Sequence, residues 1–384
     1  MEFNNNTGHV TVNTLNFWTE TKLTPTGTDP SQKKPTEQHL SLSDAPEILS
    51  FYGRENELST LQNWILEKHS RLIAILGMRG IGKTTLAIQL IEQIKPQFDY
   101  IIYRSLRFSP TPETTLTNLL QIFSPPEIPN NIETQLSQLL DYLRKYRCFI
   151  ILDDVQMLFT AAQPAGNYKT GLENYQRFFQ LIADVSHNSC LLLISSEKPR
   201  EITNFEKENK PCQALVLGSL GIASKEILKE QNLTDEESWE SLIDIYQGNP
   251  LWLQQTGTLI KDLCGGRLGE LLQFEIPVIC EDLTAILDDV FQRLTEEEKA
   301  MLYHIAGEGE PVSLGQIFKT MQGSSTALFN VIYSLKSRFW IEAIERDKMT
   351  FFAVGAVVKE YLKMQQLMLP VKTGSYMNKT PFGG

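Results

Sequence analysis

"RLIAILGMRGIGKTTLAIQL", residues 71–90, decides the fold of this chain. It opens with an apolar run of strand length and closes with apolar residues at helical spacing. Between these segments, Gly77, Gly82, Lys83 and Thr84 match the pattern G-x-x-x-x-G-K-[ST]. The stretch therefore predicts a strand, a phosphate-binding loop and a helix, in that order.

The residue types in this loop suit the binding of a nucleotide's phosphates. Glycines allow backbone N–H groups to turn inward around phosphate oxygens, and the helix N-terminus adds partial positive charge. Lys83 is expected to reach the β- and γ-phosphates, and the Thr84 hydroxyl is expected to bind Mg²⁺. The other candidate phosphate contacts in and beside the loop are Arg79, Gly80, Ile81 and Thr85.

A carboxylate for the metal follows about seventy residues later. The stretch "RCFIILDDVQ", residues 147–156, reads as an apolar strand that ends in Asp153 and Asp154. The first acid is suited to hold Mg²⁺, and the second to orient or deprotonate an attacking water. Together with Lys83, the two acids are the candidate catalytic residues for ATP hydrolysis.

The chain divides into segments of different pattern. Residues 1–45 are rich in Thr, Asn, Ser and Pro and are predicted to be mostly unstructured, although "HVTVNTLNFW" is compatible with a short strand or a docking peptide. Residues 46–220 alternate apolar strand-length runs with helical patterns, which predicts an α/β fold with a parallel sheet covered by helices. Residues 221–280 predict a helical domain. Residues 281–366 predict helices and a hairpin, as in a winged helix, before a flexible tail at 367–384.

Composition narrows the classes of function. The net charge of −11 disfavours unspecific attraction to nucleic acid or anionic lipid. We find no apolar run of the length that spans a bilayer and no signal-peptide pattern at the start. Five widely spaced cysteines indicate reduced, buried thiols, so a cytoplasmic location is expected. The five histidines are scattered and suggest no metal site.

A set of ordered motifs gives a specific resemblance. "FYGRENEL", "GMRGIGKTT", "YRSLR", "FIILDDV", "LISSEKPREI" and "GNPLWL" resemble the NB-ARC branch of the STAND class of P-loop nucleotide switches. The similarity is greatest to the cyanobacterial NB-ARC proteins, which often continue into WD40 or TPR repeats. It runs from about Leu42 to Leu362, and no repeat region is visible beyond it. In this resemblance, residues 221–280 correspond to the helical domain that is called ARC1.

The resemblance implies where the nucleotide's base would lie. In the family, the segment equivalent to Phe51, Tyr52, Gly53 and Arg54 lies against the base and ribose. The proline of "GNPLWL", Pro250, would pack against adenine, and its fixed φ suits a rigid contact. Pro250 also stands where a helix is predicted to begin, and both roles can hold at once. Adenine is expected because the guanine-reading motif N-K-x-D is missing.

Two departures from the family pattern concern the phosphates. Relatives commonly read T-S-R-E-K-P after the fourth strand, with the arginine facing the γ-phosphate. Aligned on "EKP", this chain has Ser195 and then Ser196, which stands in the arginine's place. Ser195 remains a candidate nucleotide contact, but slow turnover is expected. The His-Asp pair that holds ADP in many relatives is replaced by "FFAVGAVVKEYL".

The sequence thus favours an ATP- and ADP-binding molecular switch that acts in signalling or defence. We expect it to self-associate with ATP and to depend on a separate sensor or effector protein as partner. One alternative is a nucleotide-binding scaffold without turnover. Another is a winged-helix DNA-binding regulator, which the nine basic and eleven acidic residues between 283 and 370 disfavour.

Overall fold

The computed structural model describes residues 38–208, 210–274 and 277–368. The predictions for residues 1–37, including the strand or docking peptide at 9–18, lie outside the described residues, as does most of the predicted tail. Six strands form one parallel sheet: β1 His39–Ser41, β2 Leu72–Leu76, β3 Tyr100–Ser105, β4 Cys148–Asp153, β5 Cys190–Ser195 and β6 Cys212–Val216. Their order is β1-β3-β4-β5-β2-β6. The predicted α/β fold with a parallel sheet is confirmed.

Helices cover both faces of this sheet. They are α1 Glu55–Gln62, continued by a π-helical turn to Glu67, α2 Lys83–Ile94, α3 Pro112–Ile122, α4 Ile132–Lys145, α5 Asn174–Asp184 and α6 Arg200–Lys207. Strand β2 explains why two layers are needed. Its Leu72, Ala74 and Leu76 pack into one buried cluster, while Ile73 and Ile75 pack into another. Because successive side chains point to opposite faces, a strand that is apolar throughout must be covered twice.

Strand β1 lies in the part of the chain that was predicted to be mostly unstructured. His39, Leu40 and Ser41 pair in parallel with Tyr100, Ile101 and Ile102 at the edge of the sheet. The strand has three residues and is largely exposed. A strand so short and polar has no apolar alternation, so the sequence pattern could not reveal it.

The rest of the described chain is mainly helical. Its helices are α7 Ser224–Glu230, α8 Trp239–Ile245, α9 Pro250–Cys264, α10 Leu268–Leu272, α11 Glu281–Phe291, α12 Glu296–Gly307, α13 Leu314–Thr320, α14 Ser325–Ser337 and α15 Ala356–Met368. A small antiparallel sheet has the order β7-β9-β8, with β7 Val312–Ser313, β8 Glu342–Arg346 and β9 Met349–Ala353. Buried residues from Ile227 to Leu362 form one continuous cluster, so these helices share a core.

The β8–β9 connection explains the hairpin that the sequence pattern predicted. Asp347 and Lys348 have φ angles of 50° and 64° and join the two strands. Two successive left-handed residues are the geometry of a type I′ turn, whose twist matches that of the paired strands.

Among the described residues, no helix is long and apolar enough to cross a membrane.

Candidate functional site

A cleft of about 740 Å³ lies at the carboxyl ends of the central strands. This is the edge at which open α/β sheets bind ligands. It also receives side chains from α9 and α11, so both parts of the described chain line it. Thirteen of the predicted site residues line this cleft: Phe51, Tyr52, Arg54, Arg79, Gly80, Ile81, Gly82, Lys83, Thr84, Thr85, Asp153, Asp154 and Pro250.

The loop after β2 has the backbone that its glycines predict. Gly80 and Gly82 have φ angles of 84° and 97°, which L side chains rarely adopt. At Gly80 an added Cβ would also lie 2.6 Å from the Cβ of Leu251. The Lys83 ammonium donates to the carbonyl oxygens of Gly77 and Met78, both at 3.0 Å. Desolvation lowers the pKa of Lys83 to about 8, so this cation is poised for a stronger anionic partner.

Asp153 is the buried carboxylate of the site. Its Oδ2 accepts hydrogen bonds from the Thr84 hydroxyl at 2.6 Å and the Tyr103 hydroxyl at 2.5 Å. Desolvation by burial raises the pKa of Asp153 in spite of these hydrogen bonds, so burial disfavours its charged form. A carboxylate beside a hydroxyl supplies the oxygen ligands that Mg²⁺ prefers. Thr84 and Asp153 therefore fit the predicted metal position.

Asp154 is held differently from its neighbour. It has a left-handed φ of 60°, a conformation that aspartate tolerates better than most residues. Its Oδ2 accepts from the Ser105 hydroxyl at 2.9 Å, and its Oδ1 accepts from the Gln156 amide at 3.1 Å. These two donors orient the carboxylate, and its side chain is about one-third exposed. Asp154 is thus placed to contact a solvent molecule or ligand in the cleft.

Arg54, directly before α1, bonds to the phosphate loop and to the segment after β6. Its guanidinium donates to the carbonyl oxygens of Gly218 at 2.8 Å and Ile81 at 3.2 Å, and it pairs with Glu57 at 2.8 Å. The residue is 8% exposed. Arg54 lines the cleft, but most of its donors bond to other groups of the protein. Its position shows that the segment before α1 braces the phosphate loop as well as bordering the cleft.

Pro250 begins α9, as its sequence context predicted, and it also lines the cleft. The residue before it adds a contact that sequence reasoning missed. The Asn249 side chain caps α9 by accepting from the backbone N–H groups of Leu251 and Trp252, and it donates to the Arg79 carbonyl oxygen at 3.1 Å. An asparagine at a helix start is a recognisable capping signal. The cap fastens α9 to the phosphate loop.

Three of the predicted contact residues do not line the cleft. Gly53 packs against Ala223, whose Cβ would lie 2.8 Å from a Cβ at that position. Gly77 presents its carbonyl oxygen to Lys83 instead. Ser195 is fully buried, and its hydroxyl donates to the Glu197 carbonyl oxygen at 2.6 Å. The position of Ser195 at the end of β5 corrects the expectation, because the neighbouring Ser196 lines the cleft.

Other cleft residues were not predicted, among them Arg107, Gln156, Ile227, Asp289 and Arg293. Arg107 stands in the quoted motif "YRSLR" and could have been suspected from it. Gln156 likewise ends the quoted stretch "RCFIILDDVQ", whereas Ile227, Asp289 and Arg293 carry no local signal, because only the tertiary fold brings them to the cleft. In all, five basic and three acidic side chains line it. In a chain of net charge −11 this local excess of positive charge favours an anionic ligand.

Comparison with known proteins agrees with this geometry. Residues 51–254 match the ATPase_2 family, which is described as an ATPase domain predominantly from Archaea. The chain belongs to this ATPase family. The matched range contains the phosphate loop, Asp153 and Asp154 at the end of β4 and just after it, and the start of α9, so it covers most of the cleft.

Individual relatives extend the similarity. An uncharacterized WD repeat-containing protein of Nostoc is 36% identical over 312 residues, which are 76% of this chain and 25% of that protein. A disease resistance protein of Arabidopsis thaliana is 29% identical over 200 residues, which are 50% of this chain and 14% of that protein. The chain thus spans about a quarter or less of the length of these relatives.

A solved structure supports the fold. The Walker-type ATPase of Pyrococcus abyssi has a TM-score of 0.53 at 16% sequence identity. The similarity covers 82% of this chain and 96% of that one. It therefore includes the helices after the parallel sheet as well as the sheet itself.

Proposed function

We propose that this chain is the nucleotide-binding core of an NB-ARC-type STAND switch. It would bind ATP and ADP with Mg²⁺, hydrolyse ATP slowly, and self-associate under the control of the nucleotide and a partner protein. The proposed organisation is a P-loop domain at 46–220, an ARC1-like helical domain at 221–280 and a winged-helix domain at 281–366. A cytoplasmic location and a role in signalling or defence are part of the same proposal.

One observation carries this proposal. The cleft is lined both by the phosphate loop and by Asp289, Val290 and Arg293, from α11 and the turn after it. Arg79 of the loop and Asp289 of α11 form an ion pair at 2.7 Å. A ligand in this cleft must therefore contact or displace groups from both parts of the chain. Such a site can shift the balance between two arrangements by its difference in affinity for them.

The residues also suit the hydrolysis of ATP. Lys83 would bind the β- and γ-phosphates, while Thr84 and Asp153 would hold Mg²⁺, which neutralises phosphate charge when bound. Asp154 would accept a proton as the water oxygen bonds to the γ-phosphorus. The bond from that phosphorus to the bridging oxygen breaks, which releases ADP and inorganic phosphate. Phe51, Tyr52 and Pro250 would form the adenine side.

Specific side chains bear on the two alternatives, a scaffold without turnover and a DNA-binding regulator. A scaffold without turnover gains support from Ser196, which lines the cleft but cannot supply charge. DNA binding by the C-terminal helices loses a basic candidate, because the Arg338 side chain is 4% exposed and faces Glu197 and Glu298. We retain slow hydrolysis as the proposal, and a turnover assay on the purified protein separates it from the scaffold without turnover.

We expect Asp154→Asn to lower ATP turnover by about a hundredfold or more, because a general base contributes roughly 10²–10⁴ to a rate. Binding of ATP should stay within about twofold, since Asp154 is held by Ser105 and Gln156 and not by the phosphate loop. Phosphate release measures the first quantity and calorimetry the second. Asp141→Asn, on an exposed carboxylate of α4, is the control. Undiminished turnover in Asp154→Asn would contradict the assignment.

Nucleotide affinity should fall as the pH rises above about 8. The pKa of Lys83 is about 8 in the free protein because of desolvation, and phosphate binding must raise it. The charged form predominates below pH 8, so affinity is full there. It declines by up to about tenfold per pH unit until the pKa of the bound form is reached. Calorimetry with ADP at pH 7.5 and 9.5 checks this, and equal affinities would disprove it.

A further inference from the structure

Arg107 differs from the other arginines of the cleft in how little the protein uses it. Arg54 is clamped by backbone carbonyls. Arg79 is neutralised by Asp289 at 2.7 Å. Arg293 pairs with Glu197 at 3.2 Å and donates to the Gln156 carbonyl oxygen at 2.8 Å. Each of these three guanidinium groups already has a close partner.

The Arg107 guanidinium has weaker contacts. Its Nε donates to the Ser105 hydroxyl at 3.2 Å and lies 4.0 Å from Oδ2 of Asp154. Its side chain is 59% exposed. A guanidinium carries five N–H donors, and within the described residues this is the one hydrogen bond that the side chain makes. Most of its donors are therefore available to a ligand in the cleft.

Arg107 lies at the end of the proposed site where the terminal phosphate would react. Arg107 follows β3, which pairs directly with β4, and β4 ends at Asp153, directly before Asp154. The Ser105 hydroxyl bonds both to Arg107 and to Asp154, so the three residues form one connected group. The arginine is thus anchored beside the carboxylate that is proposed to accept the water proton.

A cation beside Asp154 would offset the negative charge that a bound triphosphate adds to that of the two aspartates. The two aspartates and a triphosphate would gather several negative charges, and Ser196, which follows β5 and lines the cleft, carries no charge. A guanidinium is planar and can contact two phosphate oxygens at once. Within reach of Asp154, Arg107 offers such a group.

We propose that Arg107 binds the terminal phosphate of ATP and stabilises the charge that develops there. This inference rests on the proposed ATP-binding function. Arg107 would then help to distinguish ATP from ADP. ADP has no terminal phosphate for Arg107 to bind, so with ADP the side chain would keep its contacts with Ser105 and Asp154.

The test compares nucleotides on Arg107→Ala. A non-hydrolysable ATP analogue with Mg²⁺ should bind about tenfold or more weakly than to the wild type, because hydrogen bonds to charged groups are lost. ADP should bind within about twofold, which also shows that the variant is folded. ATP turnover should fall at least tenfold. Arg107→Lys should recover part of the analogue's affinity, because it keeps the charge.

A matched control is Arg177→Ala on α5. The Arg177 side chain is 57% exposed and pairs with Glu133 at 3.2 Å. The control variant therefore removes one positive charge at a position outside the cleft. Both nucleotides should bind to it with unchanged affinity. An unchanged affinity for the analogue in Arg107→Ala would overturn the inference, and so would an equal loss for ADP. If the wild type binds neither nucleotide, the proposed function itself fails, which is a different result.

Discussion

Replacing Lys83 with alanine is expected to weaken ATP and ADP binding by at least about a hundredfold. The ammonium would donate to the β-phosphate of either nucleotide and to the γ-phosphate of ATP, and hydrogen bonds to charged groups contribute about 1.5–3 kcal/mol each. In the free protein the ammonium donates to the carbonyl oxygens of Gly77 and Met78. In the variant, water can donate to these two oxygens instead. Calorimetry with each nucleotide measures the loss.

The same substitution should leave the fold intact. The pKa of Lys83 is lowered from 10.5 to about 8, so the unfolded chain binds more protons between these values. Stability linked to this group therefore rises with pH across that window, and burying the charged form opposes folding at neutral pH. Lys83→Ala should not lower the unfolding midpoint. Lys95→Ala, whose partner Glu92 lies 2.7 Å away, is a control beyond the other end of α2 and should bind nucleotide normally. Binding retained by Lys83→Ala would refute the phosphate role.

The sheet could be predicted from the sequence wherever a strand is buried on both faces. Strands β2 and β4 are fully buried along their length, and this burial requires the continuous apolar runs that the sequence displays. Strand β1 was missed because an edge strand of three exposed residues needs no such run. The order of the strands depends on long crossover connections, and no local pattern encodes it.

The candidate site could be predicted where its residues belong to a local motif, namely the phosphate loop and the acidic end of β4. Lys83, Thr84 and Asp153 converge as expected. Ser195 was misplaced because a one-residue shift at a strand end turns a side chain from the cleft into the core. Arg293 could not be found, because it lies more than two hundred residues after the phosphate loop and only tertiary packing brings it there.

Arg293 also belongs to a buried group of charges that joins the two parts of the described chain. We call Glu197, Arg293, Glu298 and Arg338 the Glu197 cluster. Glu197 follows β5 and lies 3.2 Å from Arg293 and 3.6 Å from Arg338, and Arg338 lies 3.5 Å from Glu298. The side chains are 2–16% exposed. Two cations and two anions therefore balance in a poorly solvated contact.

The cluster connects directly to the proposed catalytic carboxylate. Gln156 donates to Oδ1 of Asp154, accepts at its side chain from the Ser196 N–H, and accepts at its carbonyl oxygen from Arg293. A change at the phosphates can therefore reach the contact with the C-terminal helices through one residue. Within the described residues, this cluster is a buried polar contact between the two parts, whereas the Arg79–Asp289 pair is exposed.

Glu197→Gln is expected to destabilise this arrangement by about 3–5 kcal/mol, since removing one partner leaves a buried charge unbalanced. The amide keeps the size of the side chain and can still accept from the Gly166 N–H, which now bonds to Glu197 at 2.7 Å. The loss should appear as a lower denaturation midpoint and as faster hydrogen exchange at Ala162, whose N–H bonds to the Arg293 carbonyl oxygen at 2.9 Å. Glu296→Gln is the matched control, because that side chain is 86% exposed and a surface pair contributes about 0–1 kcal/mol. Equal stability and equal exchange in the two variants would show that the cluster does not hold the parts together.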